Sequence, residues 1–197
     1  ALRGQVHLDV PTVGMVVTRG FRDVIEIGRQ NRPKLYDLFF EKPRPLVPRE
    51  LRVEVDERVD ARGEVLKEVS VEDVRRAAEV LKRKGVVAVA VTFLNSSANP
   101  HNEEIAKRVL SEEFEFVVAS HEVAPEPREY ERFSTAVVNA LLMPIVSTYV
   151  SRLVEGLGDG CEVYVMSSAG GLVDTDEVRR RPIHMIESGP AAGVVAA

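Results

Sequence analysis

The sequence predicts an α/β fold with mixed, mainly parallel sheets and flanking helices. Three observations carry this. Val86–Phe93 (VVAVAVTF) is a near-continuous apolar run, so both of its faces need cover, as in a parallel sheet. Strand-like and helix-like segments alternate, the order that right-handed βαβ crossovers produce. Finally, 45% hydrophobic and 29% charged residues in 197 are ordinary proportions for a chain with one sizeable core or two small ones.

The elements follow in order. Thr12–Thr18 is short, apolar and β-branched, and reads as a strand. Phe21, Val24, Ile25 and Gly28 recur at helical spacing within a short helix over Phe21–Arg29. Gln30–Pro48 holds four prolines and reads as an extended loop. Leu51–Val59 alternates, with Leu51, Val53 and Val55 facing inward and Arg52, Glu54 and Asp56 outward, which predicts one half-buried strand. A turn over Ala61–Glu64 returns Val65–Val69 as the second arm of a hairpin. Ser70 caps a helix that buries Val74, Ala77, Ala78 and Leu81 and stops at Gly85. Asn102–Leu110 is a helix and Phe116–Ala119 a strand. Arg128–Met143 is helical, Pro144 breaks or kinks it, and Ile145–Leu157 resumes. Glu162–Met166 reads as a buried strand, Ser167–Gly171 as a turn, Asp174–Arg181 as a short helix, and Pro190 as the opening of a last helix.

Composition excludes some function classes. Net charge is −5, from 26 bases and 31 acids, which argues against a nucleic-acid surface and lends nothing to an anionic membrane partner. The lone Cys161 cannot staple the fold, and four scattered histidines show no zinc-binding spacing. A reducing compartment is expected. No apolar run is expected to reach the roughly 20 residues of a membrane span. The start at Ala1 and the apolar end Gly193–Ala197 both read as cuts in a longer chain. A piece cut from a two-domain protein would expose an apolar face where its neighbour packed.

Few positions suggest chemistry. In Glu187-Ser188-Gly189-Pro190-Ala191-Ala192-Gly193, small residues open a helix whose first amides lack partners, so Ser188, Gly189 and Gly193 are candidates for a phosphate or nucleotide contact. A small-residue helix that packs closely on another is the bland alternative. Ser167 and Ser168 follow a strand, where α/β proteins bind ligands, although a tight connection would look the same. Glu131 and Arg132, at the start of the long helix, either line a cleft or simply offset the dipole. Asn139, inside an apolar stretch, is either a hydrogen-bonded core residue or a ligand contact. Gly28-Arg29-Gln30-Asn31-Arg32-Pro33 sets two arginines beside two amides, suited to carboxylate or phosphate. There is no catalytic triad, metal site or interpretable carboxylate pair.

Four blocks in order, TRGFRDVIEIGRQNRP, PREYERFSTAVVNALLMP, MSSAGGL and ESGPAAGVVAA, resemble the hydantoinase A / 5-oxoprolinase family, which includes N-methylhydantoinases and acetone carboxylase subunits. The resemblance runs from about Thr12 to Ala197. It implies part of an actin/Hsp70/sugar-kinase-like (ribonuclease H-like) ATPase fold, a cytoplasmic setting, and ATP with Mg2+ used by the intact enzyme to open a cyclic amide such as a hydantoin or 5-oxoproline. It also implies a hydantoinase B-type partner subunit. Residues 1–124 would close the family's N-terminal region and residues 125–197 would open its main domain. Where the family reads Q-S-N-G-G, this chain has Ser167-Ser168-Ala169-Gly170-Gly171, without the amide. Asn99-Pro100-His101-Asn102-Glu103 displaces a family histidine. Neither of the family's D-x-G-G-T phosphate loops occurs, so the chain alone should be inactive and hold no nucleotide tightly. The alternatives are a structural or subunit-interaction module, or part of an acetone-carboxylase-like subunit.

Overall fold

A computed structural model describes residues 10–31, 34, 36–158 and 161–197. Four parallel strands form the main sheet, in the order β2-β1-β5-β6: β1 (Val13–Thr18), β2 (Arg52–Val55), β5 (Ala88–Thr92) and β6 (Phe116–Ala119). The two central strands are buried along their whole length, as the apolar runs require. Helices α2 (Val71–Arg83) and α3 (His101–Ser111) pack together on the sheet, and α5 (Glu129–Leu157) packs on β1, β5 and β6. Since both faces of β5 are buried, these two helical layers cover the two sides.

Helix α2 forms as its sequence demands. The Ser70 hydroxyl accepts the Asp73 amide, the predicted apolar face is buried, and Gly85 leaves the helix at φ +71°. The predicted hairpin is also present, with β3 (Arg58–Val59) antiparallel to β4 (Val65–Lys67).

Several expectations are corrected. Leu51–Val59 is not one strand. A 3-10 turn covers Arg49–Leu51, β2 joins the parallel sheet, and the chain bends at Asp56-Glu57 before β3 enters the hairpin. Arg52 is buried rather than outward. Its guanidinium reaches the Val47 and Arg22 carbonyls and the Glu26 carboxylate, which offsets its desolvation. Helix α1 covers only Val24–Ile27. Pro144 sits inside α5 without ending it, and the helix reads as one element of 29 residues. That helix is long and apolar enough to cross a membrane by length and composition alone, contrary to the expectation. Its first half instead packs on the sheet and buries two polar side chains, Arg132 and Asn139.

The C-terminal part differs most. β7 (Tyr164–Met166) is not a buried strand. Among the described residues it pairs only with β8 (Leu172–Asp174) in an antiparallel ribbon, so no sheet covers its faces and Tyr164 is half exposed. Asp174 caps α6 (Thr175–Arg180) through the Glu177 amide. A 3-10 turn (Pro182–Met185) leads to α7, which runs from Ser188 to Ala196 and so starts two residues before Pro190. Tyr164, Leu172, Ile186, Val194 and Val195 are exposed in this corner.

Candidate functional site

Open α/β sheets bind ligands beyond the carboxyl ends of their strands, where neighbouring connections leave in opposite directions. Here that place lies between β1 and β5. The chain leaves β1 towards β2 and leaves β5 towards β6, on opposite sides. Three of the four strands end on or lead directly into a polar residue. Thr18 ends β1, Thr92 ends β5, and Ser120 follows β6.

These groups and their neighbours form a buried network. The Leu94 amide donates to the Thr18 hydroxyl (3.0 Å), and that hydroxyl donates to the Glu57 carboxylate. Asn102 donates to Glu57 (2.7 Å) and to the Lys67 carbonyl, and it accepts the Val69 amide. Glu103 is fully buried and accepts from the Phe93 amide, the Ser120 hydroxyl and the His121 amide, with the His121 Nδ1 at 2.7 Å. Among the described residues, no buried side-chain polar atom lacks a partner. The crevice is thus filled by the protein's own polar groups, which fix the strand ends against α3 and the hairpin.

Burial pushes the Glu57 carboxyl above its usual range, against the pull of the Thr18 and Asn102 donors. A carboxyl raised in the folded state favours folding at low pH, and this contribution is lost as pH rises through the folded value. Glu57→Gln should therefore gain stability relative to the parent between about pH 4.5 and 7.5. Urea unfolding at both values checks this, and a difference that does not change with pH counts against it.

The predicted residues fall into two groups. In the first, the Arg132 guanidinium is buried and committed. It reaches the Ser120 hydroxyl (3.0 Å) and the Phe93 carbonyl (2.9 Å), with Ser97, Glu126 and Glu129 at 3.2–3.4 Å. Glu131 is partly exposed and accepts from the Arg29 Nε at 2.6 Å, which holds its carboxyl below the usual range. Both line a shallow cleft of about 340 Å³ with Arg128 and Thr135. Arg29 also stands over the Tyr130 ring, 5.8 Å from its centroid. Arg32 and Pro33 lie outside the described residues.

In the second group, Asn139 is a buried tie, one face-repeat along α5 from Arg132. It donates to the Arg180 carbonyl (3.0 Å) and accepts the Ile183 amide (3.2 Å), and so fixes the turn before α7. Ser168 holds that junction from the other side. Its amide donates to the His184 carbonyl and its hydroxyl accepts the Glu187 amide. The Ser167 amide closes the hairpin turn onto the Gly171 carbonyl. Asn139 and Ser168 thereby converge on the start of α7, where Ser188 and Gly189 are the first two helical residues, while among the described residues Ser167 bonds only within the hairpin turn. A Cβ at Gly189 or Gly193 would meet nothing within 4 Å, so packing within this chain does not require either glycine.

The fit to a nucleotide is partial. The α7 terminus offers two free amides, because Pro190 brings none, and close approach at Gly189. It brings no cation, and Glu187 stands beside it. Among the described residues, no three His, Cys, Asp or Glu side chains gather to hold a metal ion.

Sequence reasoning missed Thr18, Glu57, Glu103, Ser120 and His121. A polar residue closing an apolar strand could have pointed to Thr18 and Ser120; no local signal marks Glu57, Glu103 or His121.

The chain is similar to known proteins over most of its length. Residues 1–114 match the family described as hydantoinase/oxoprolinase N-terminal region, and residues 132–197 match hydantoinase/oxoprolinase. An uncharacterized protein of Methanocaldococcus jannaschii is 46% identical over 98% of this chain and 29% of its own length. The caprolactamase subunit alpha of Pseudomonas jessenii is 34% identical over 98% of this chain and 29% of its own. The 5-oxoprolinase 1 of Arabidopsis thaliana is 34% identical over 93% and 16%. The crystal structure of the ATP-dependent caprolactamase from Pseudomonas jessenii superposes with a TM-score of 0.80 over 93% of this chain and 28% of that one, at 34% identity. The nucleotide-free structure of acetone carboxylase, titled for ATP-dependent acetone carboxylation, gives 0.76 at 26% identity over 94% and 28%. The chain thus spans less than a third of the length of these relatives.

Proposed function

Because this chain belongs to the hydantoinase/oxoprolinase family, we propose that it is part of an ATP-dependent enzyme that opens a cyclic amide of the hydantoin or 5-oxoproline type. The observation that carries this reading is the likeness, over almost the whole chain, to a caprolactamase described as ATP-dependent. A ring amide resists water because its C–N bond is conjugated. A phosphoryl group from ATP on the amide oxygen would end that conjugation, so that water can add to the ring carbon. The C–N bond can then break with the nitrogen leaving as an amine, and hydrolysis of the acyl phosphate left behind gives the carboxylate and free phosphate. Such transfer relies on positioning and charge neutralisation. In this reading Asn139 and Ser168 position α7, and the Ser188 and Gly189 amides meet a phosphate oxygen. A companion subunit completes the enzyme, in keeping with the relative named as subunit alpha. The exposed Cys161 thiol suits a reducing cytoplasm.

The second reading is an ATP-dependent carboxylation subunit, favoured by the acetone carboxylase likeness. The two separate in one experiment on the full-length protein with its companion. Phosphate release that depends on a cyclic amide, without bicarbonate, supports ring opening. Release that needs a ketone and bicarbonate supports carboxylation and overturns the main reading.

Gly189→Val in that full-length enzyme should cut turnover at least about 100-fold, because its side chain keeps the phosphate from the Ser188 and Gly189 amides, on the scale of losing a donor aimed at developing charge. In the present chain by itself the melting temperature should be unchanged, since a Cβ at Gly189 meets open space. Parental turnover in the variant would remove α7 from the site.

A further inference from the structure

One cleft is used by none of the chemistry above. It lies between α1, the proline-rich stretch and the first half of α5, and measures about 240 Å³. Ile25, Val137 and Val138 form its apolar floor, and Pro43–Leu46 form the opposite wall. Three polar side chains line it, Arg44, Tyr130 and Ser134.

None of the three is used by the fold. Three arginines nearby have acceptors: Arg29 has Glu131, Arg49 has Asp23, and Arg52 has Glu26. Among the described residues, Arg44 has no ion pair or hydrogen bond, and the Tyr130 and Ser134 hydroxyls have no hydrogen-bond partner. The Tyr130 ring is nonetheless fixed from behind by the Arg29 guanidinium, which Glu131 holds in turn. A small concave apolar surface with a few unspent polar groups is the anatomy of a small-molecule site. One uncompensated cation selects an anion, and guanidinium geometry matches a carboxylate in two-point contact.

We propose that this cleft binds a small monocarboxylate with a compact apolar body. The carboxylate pairs with Arg44, the apolar body rests on Ile25, Val137 and Val138, and the Tyr130 and Ser134 hydroxyls bond any further polar atom. At roughly 30 Å³ per water-sized unit of liquid, the space suits a ligand of about eight non-hydrogen atoms. The site does not depend on the catalytic reading above, because it is tested by binding alone.

The probe is cyclopentanecarboxylate, with cyclopentylmethanol as its uncharged counterpart. Each is titrated into isotopically labelled protein and followed by NMR at the methyl groups of Ile25, Val137 and Val138. The carboxylate should give saturable shifts confined to these residues and their neighbours, with a Kd of about 1–10 mM, as so small a ligand allows. The alcohol should bind at least about ten-fold more weakly, and so should the carboxylate to Arg44→Gln. Arg44 is exposed, so its replacement leaves the fold intact. Tyr130→Phe together with Ser134→Ala should leave the carboxylate preference unchanged. Absence of saturable shifts below about 20 mM overturns the proposal. So does equal affinity for acid and alcohol, or for parent and Arg44→Gln.

Discussion

Arg132→Met should cost about 3–5 kcal/mol of stability, the range for breaking a buried charged network. The methionine fills similar space but leaves the Phe93 carbonyl, the Ser120 hydroxyl and Glu129 without the donors they now have. It also loosens Ser120, which donates to the buried Glu103, so the loss spreads to the ends of β5 and β6. A domain holds only about 5–15 kcal/mol in total, so the variant would be close to unfolding at physiological temperature. Arg132→Lys should recover part of the loss only, because one ammonium cannot span the acceptors that the fork spans. Urea unfolding with the slope checked for two-state behaviour measures both. A loss below about 1 kcal/mol in Arg132→Met would show that water replaces the guanidinium without difficulty.

Gly14→Ala is the second large effect, expected to cost about 1–3 kcal/mol from overpacking. A Cβ on Gly14 would lie 2.7 Å and 3.1 Å from the two Leu81 methyl carbons and 3.2 Å from the Val86 Cγ1. Leu81 is the end of a flexible side chain, yet it is fully buried and has little room to turn. Gly14→Val should cost more again. The diagnostic result is a double mutant. Leu81→Ala alone opens a cavity, and adding Gly14→Ala should then cost less than it does in the parent, by about 0.5 kcal/mol or more. Strictly additive losses would mean that the close approach of β1 and α2 is not what requires glycine here.

Much of the main sheet was legible in the sequence because its signals are local. The VVAVAVTF run requires two covered faces, the Ser70 cap and Gly85 stop are written in single residues, and the strand Phe116–Ala119 coincides with its apolar run. The splitting of Leu51–Val59 was not legible. Its alternation suits one strand, and only the pairing of β2 with β1 and of β3 with β4 bends the chain between them. Arg52 misled for the same reason, since its acceptors come from two other segments. β7 reads as buried because EVYVM is apolar, although burial depends on what covers it.

The candidate site was legible by type and not by role. Arg132 was noticed at the charged start of the long helix and Asn139 as a polar residue in an apolar stretch, and the structure uses each as a tie between segments. Ser168 and the start of α7 were noticed separately, and the Glu187 amide joins them. The Glu57, Asn102 and Glu103 network depends on partners far apart in sequence, and no spacing rule finds such a set. Arg44, Tyr130 and Ser134 were likewise invisible until the proline-rich stretch lay against α5.

The strand order has a consequence for how the chain assembles. Among the described strands β1 is central and precedes both of its partners in sequence, with Met15 set against Arg52 and Val13 against Ala88. A long loop must close before either pairing yields any contact, and parallel pairing offers no tight turn to shorten the search. Assembly is therefore expected to be slow for a domain of this size. Until β5 has been synthesised, the edge of β1 that it pairs stays open to other chains, an interval in which this part of a nascent chain is expected to be prone to aggregate.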